Sequence, residues 1–150
     1  TAAWSRNLYK EFGPISFADA FEDLVFGFRA SITNSLVYVD MPLVKYRVGI
    51  GLSTASSIPF WNISKRVHER RRRIKTFLDV LEQRLVDLEH SNEKKIQNLL
   101  RPHLAHVLKF QRIKYLYYTN IWAVIRKIFS KDSSVALNVV YIETQYMLAQ

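Results

Sequence analysis

Cysteine is absent from the 150 residues, which excludes a disulfide framework, a thiolate zinc site and a catalytic cysteine. That absence suits a reducing, cytoplasmic setting. Glycine is scarce: the four lie at positions 13, 27, 49 and 51, and the only prolines after residue 58 are Pro59 and Pro102. Long apolar runs are missing near the tail as well. Tyr115 to Ile125 is uncharged over eleven residues but contains Thr119 and Asn120, whereas a membrane span needs about 20 mostly apolar residues. Thr1 to Arg6 lacks a basic segment leading into an apolar core, so no secretory signal is read there. The chain does not start with Met, and Thr1 is read as a boundary inside a longer protein.

What is present is a chain able to bury a core. Apolar residues make up 49%, with nine Phe, eight Tyr and three Trp, too many for disorder throughout. The net charge of +9 is unevenly spread. Residues 1–58 carry five basic and five acidic groups, and residues 59–93 carry eight and six. From Lys94 to Lys131 there are nine basic residues and no acid, after which only Asp132 and Glu143 follow. Such a segment suits an anionic partner, a lipid surface or a nucleic acid, and equally a solvated helix face.

The glycines and prolines divide the chain near residue 58. Residues 1–58 read as a small α/β portion and residues 59–150 as a basic helical region, so the expected fold is mainly α. In the first part a helix follows Asp19, with Leu24, Phe28 and Ile32 on one face. Leu36–Val39 and Leu43–Val48 read as short extended segments, and the stretch from Gly49 to Ser57 as a loop. Pro59 suits a first helical position, and that helix runs to about His90. Within it Ile74, Leu78, Leu81, Leu85 and Leu88 repeat like a short coiled-coil seam, which offers a homodimer. A second helix follows Ser91-Asn92 with Ile96, Leu99, Leu100, Leu104, Val107, Leu108 and Phe110 as its apolar stripe, kinked or divided at Pro102. Val135 to Leu148 suits a helix, although Val139–Ile142 would also suit a strand.

Three pieces occur in order: Trp4-Ser5-Arg6 with Phe12-Gly13-Pro14, then Phe21-Glu22-Asp23 with Gly27-Phe28-Arg29-Ala30, then Val39-Asp40-Met41-Pro42-Leu43-Val44-Lys45-Tyr46-Arg47. Together they resemble the carboxy-terminal end of the catalytic domain in family 2, GT-A-type glycosyltransferases. The resemblance covers about residues 2–54. It implies the acceptor-side remnant of an α/β nucleotide-sugar transferase domain, followed here by long helices. In that family a D-x-D motif in the other half of the domain holds the nucleotide sugar and a divalent metal, Mn or Mg. This chain has no D-x-D, so no metal is expected on it and the chain alone is not expected to be competent. Relatives often carry a histidine after the Tyr-Arg pair, where this chain has Val48-Gly49-Ile50-Gly51.

The resemblance assigns the general base to Asp23, with Glu22 as its neighbour. Such a base must lie within hydrogen-bond reach of the acceptor hydroxyl. Against this, Asp19 and Glu22 are spaced as a capping box, and acids in a first turn suit the helix dipole. Arg29 is placed either on phosphate or in a structural salt bridge. Tyr46 and Arg47 fall where the family closes over the diphosphate, Arg47 through its planar fork or as a partner of Asp40. Trp4 is set either to stack on an acceptor sugar or to join the core.

The expected partners are a nucleotide sugar and a glycan or lipid-linked acceptor, in surface polysaccharide or glycolipid synthesis on the cytoplasmic face of a membrane. Lys109, Arg112, Lys114, Arg126, Lys127 and Lys131 interleave with Tyr115, Tyr117, Tyr118 and Trp122, a mixture suited to a membrane interface or to stacked bases. No nucleic-acid-binding motif is present, which ranks that partner last. His103 and His106 read as surface residues. The alternative to an enzyme part is a helical interaction module that dimerises through the leucine seam.

Overall fold

The computed structural model of the chain describes residues 3–41, 62–120, 128–129 and 133–148. Among these residues the fold is mainly helical, with no strand. Five helices are named here in chain order: α1 (Arg6–Phe12), α2 (Glu22–Ile32), α3 (Ile63–His90), α4 (Lys94–Thr119) and α5 (Ser133–Leu148). The expected segment 43–48, the loop 49–57, Pro59 and the boundary near 58 lie outside the described residues. Leu36–Val39 is neither helix nor strand and is strongly exposed, Tyr38 at 84%.

The organising element is an antiparallel hairpin of α3 and α4. At about 1.5 Å per residue, the 28 residues of α3 span about 42 Å. The Asn62 side chain caps its start by accepting from Lys65 N at 3.1 Å. The turn at Ser91–Glu93 is too short to let α4 leave, so α4 folds back along α3. Gln97 Nε2 donates to Ser91 O at 2.6 Å and pins that turn. The leucine seam is filled from within the chain. Ile74, Leu78 and Leu81 bury against Leu108, with Leu85, Leu104, Tyr115 and Tyr118 at the margin. Each such aliphatic side chain contributes about 1.5–3 kcal/mol on leaving water. The surface offered to a second copy is thus covered by α4. Pro102 does not divide α4. It and Asn98, whose carbonyl loses its donor, both face solvent, where water replaces the missing bond.

The other helices dock at opposite ends of this hairpin. At the closed end, α1 and α2 form a cluster of Leu8, Phe12, Ala30 and Ile32 that is completed by Ile96 and Leu100 of α4. The buried face of α2 carries Val25, Arg29, Ala30 and Ile32, while Leu24 is 39% exposed. Of the expected stripe Leu24, Phe28 and Ile32, Ile32 is buried and Phe28 packs against the core, while Leu24 faces outward and Val25 and Arg29 are buried instead. At the open end α5 lays Ala136 and Val139 against Ile113, flanked by Phe110 and Tyr117. The Val139–Ile142 run is helical. Asp87 and Glu143, buried acids of α3 and α5, mark these two docking sites.

Candidate functional site

The first two pieces of the resemblance meet around Arg29. Ser5 caps α1 by accepting from Asn7 N at 3.2 Å, and α1 ends at Gly13, whose φ of 71° is left-handed backbone that favours glycine. That turn aims the Gly13 carbonyl inward, where it accepts from Arg29 Nη1 at 2.9 Å. The rings of Phe12 and Phe26 flank the guanidinium, 5.4 and 5.2 Å from their centroids. Trp4 stacks on Phe26 at 5.9 Å. Half-buried, it belongs to this cluster, so its ring serves the core side of the two roles weighed for it.

Arg29 has no exposure, and its remaining donors meet Asp87 of α3 in a two-pronged pair, Nε to Oδ2 and Nη2 to Oδ1, both 2.8 Å. Gln83 extends the network, donating to Asp87 Oδ1 at 2.9 Å and accepting from Ser16 N at 2.7 Å. Charge, planarity and hydrogen bonds of the guanidinium are all matched internally. Of the two roles weighed for Arg29, the structural salt bridge is the one seen, and phosphate has no access to it. Arg84 adds a second tie. Its Nη2 donates to Leu24 O at 3.1 Å and its guanidinium lies 5.4 Å from the Phe28 centroid. Burial pulls the Arg84 guanidinium below its ordinary value.

Glu22 and Asp23 open α2 in its first turn. The residue before them, Phe21, supplies no side-chain cap, so the capping box with Asp19 does not form. Both acids are exposed, and among the described residues neither has an ion-pair partner. The free N–H groups of the first turn still favour negative charge there. The helix that carries them is tied to α3 through Arg29 and Arg84. Tyr46 and Arg47 lie outside the described residues.

The basic tail is largely paired within the chain. Arg72 meets Glu69 at 2.9 Å, Arg112 meets Glu82 at 2.9 Å and Arg101 meets Glu89 at 2.9 Å. Lys75 bonds Asp79, and that hydrogen bond raises its pKa. Arg71 lies 5.8 Å from the Tyr115 centroid. Tyr115, Tyr117 and Tyr118 are half-buried against neighbouring helices, whereas Lys65, Arg73, Lys94, Lys95, His103 and His106 face solvent. Trp122, Arg126, Lys127 and Lys131 lie outside the described residues. Among those described, no helix is long and apolar enough to cross a membrane. No cluster of three His, Asp or Glu there could hold a metal ion.

Composition and periodicity single out none of Gln83, Arg84, Asp87 or Glu143. A signal was available: Asp79, Gln83 and Asp87 recur every four residues beside the leucine seam, and all three are buried. Compared with protein families, with curated proteins and with solved structures, the chain matches none.

Proposed function

We propose that about residues 2–54 are the acceptor-side end of a family 2, GT-A-type glycosyltransferase domain whose donor half lies outside this sequence. The observation that supports it most directly is Asp23, an exposed carboxylate in the first turn of a helix tied to α3 by Arg29 and Arg84. The motif pieces around Arg29 add to it, because the cluster they build supports that helix. The exposed apolar run Leu36–Val39 fits a segment that pairs with the rest of such a domain. Asp23 takes the proton of an acceptor hydroxyl as its oxygen attacks the anomeric carbon. The bond to the nucleoside diphosphate breaks on the far face, and the configuration inverts. Glu22 keeps the local field negative and favours the approach of a neutral hydroxyl over an anion.

The acceptor is a glycan or a lipid-linked sugar at the cytoplasmic face of a membrane, where exposed lysines and arginines of α3 and α4 would favour an anionic surface. The test is sugar transfer by the full-length protein over common nucleotide sugars, with and without Mn²⁺ or Mg²⁺, against Asp23→Asn. Loss of transfer in a variant that remains folded is the expected result. Transfer undiminished in Asp23→Asn would remove Asp23 from the chemistry.

A further inference from the structure

Glu143 sits in a binding site built by other helices. Its side chain is fully buried, and four donors converge on its carboxylate. Oε1 accepts from Arg70 Nη2 at 3.1 Å and from Lys114 Nζ at 2.6 Å. Oε2 accepts from Arg70 Nε at 3.2 Å and from Tyr118 OH at 2.6 Å. The donors belong to α3 and α4, which are joined by their own seam, and α5 contributes only the acceptor. The donor set therefore stays assembled when α5 is not there.

Three features suit it to a phosphate group. An arginine fork, a lysine and a phenol are the donors that phosphate oxygens take. Arg70 and Lys114 bring two cations to one carboxylate, and a phosphate can carry two charges. The side chains of Arg70 and Lys114 remain 22% and 13% exposed, which leaves an approach from solvent. Among the described side chains of α5, Ala136 and Val139 are buried and Val135 packs beside them, while Leu137, Tyr141 and Ile142 face outward at 52%, 67% and 44% exposure.

We propose that Arg70, Lys114 and Tyr118 form a phosphate-binding cradle on the α3–α4 hairpin, and that Glu143 of α5 is its built-in occupant. α5 then works as a displaceable plug, and a phosphate-bearing ligand competes with Glu143 for the cradle. The site stands apart from the transferase reading, since it uses neither Asp23 nor any residue of the resemblance.

The test uses the full chain with inorganic phosphate as the probe, read by calorimetry at low salt. Glu143→Ala should bind phosphate about tenfold more tightly than the parent, or about 1.4 kcal/mol. Adding Lys114→Met should erase that gain. A folded Glu143→Ala protein with no gain overturns the cradle, as does a gain that survives Lys114→Met. Should Glu143→Ala be unfolded at the assay temperature, phosphate should restore its helicity and Lys114→Met should abolish the rescue. Absence of rescue overturns the proposal equally. Vesicles of phosphatidylcholine with and without phosphatidic acid then separate the sources. Retention only on phosphatidic acid, competed by free phosphate, assigns a lipid headgroup. Phosphate binding without retention on either vesicle assigns a soluble phosphate.

Discussion

The two ends of the hairpin solve the same docking problem with opposite charges. At the closed end a fully buried arginine, Arg29, is satisfied by one carboxylate, a carbonyl and two flanking rings. At the open end a fully buried carboxylate, Glu143, is held by cations that still touch water. Burial alone raises the Glu143 carboxyl, but the bonds from Arg70, Lys114 and Tyr118 outweigh it and hold the group below its ordinary value. Burial likewise pushes the Tyr118 phenol up, aided by its bond to Glu143. At the closed end the docking segment of α1 and α2 brings Trp4, Phe12, Phe26 and Phe28 to the cluster, whereas at the open end α5 brings Val135, Ala136 and Val139 against Phe110, Ile113 and Tyr117 of α4. Removing an acid at the closed end strands a charge with no access to water; at the open end, Arg70 and Lys114 keep their contact with solvent.

The comparison is tested most severely at Asp87. Asp87→Ala leaves Arg29 buried and unpaired, and should cost about 3–5 kcal/mol in denaturant unfolding. Asp23→Asn, on the exposed side of the same helix, should leave the unfolding midpoint within the scatter of surface changes. Glu143→Ala should cost less, about 2 kcal/mol, with faster hydrogen exchange confined to α5. Acid sharpens the contrast further. Because the folded pKa of Glu143 is depressed, its stabilisation is complete above the ordinary value of 4.5 and is lost as pH falls through the lower folded value. Amide protection in α5 should therefore fall with pH below about 4.5 while the α3–α4 seam keeps its own. Lys75→Met should have an effect smaller than that of Glu143→Ala. Lys75 is 44% exposed, and its pair with Asp79 should be worth about 0.3–0.5 kcal/mol, measured by the same unfolding midpoint.

The helices of the second region were legible because their apolar residues repeat at helical spacing and glycine is missing. The end of α3 at His90 follows from the same pattern. What the seam packs against was not legible. A repeat of two heptads serves a second copy or a returning helix equally, and the three-residue turn decides for the latter. Two of the three motif pieces were legible as neighbours-to-be, since the fold brings them together around Arg29, and most of the third lies outside the described residues. The role of Arg29 was not, since its partner lies 58 residues away and no local pattern pairs them. For Glu143 the hint was its isolation as an acid in a basic tail.

The cluster at the closed end also bears on the order in which the chain can fold. Synthesis makes α1 and α2 before α3 and α4, yet their core borrows Asp87, Ile96 and Leu100. Until the chain has been made as far as Leu100, Trp4, Phe12, Phe26 and Arg29 have no lasting enclosure, while α3 and α4 can zip together from their own short turn as soon as both emerge. Although made earlier than the hairpin, α1 and α2 thus settle after it, and the ribosome or a chaperone has that interval in which to shield them.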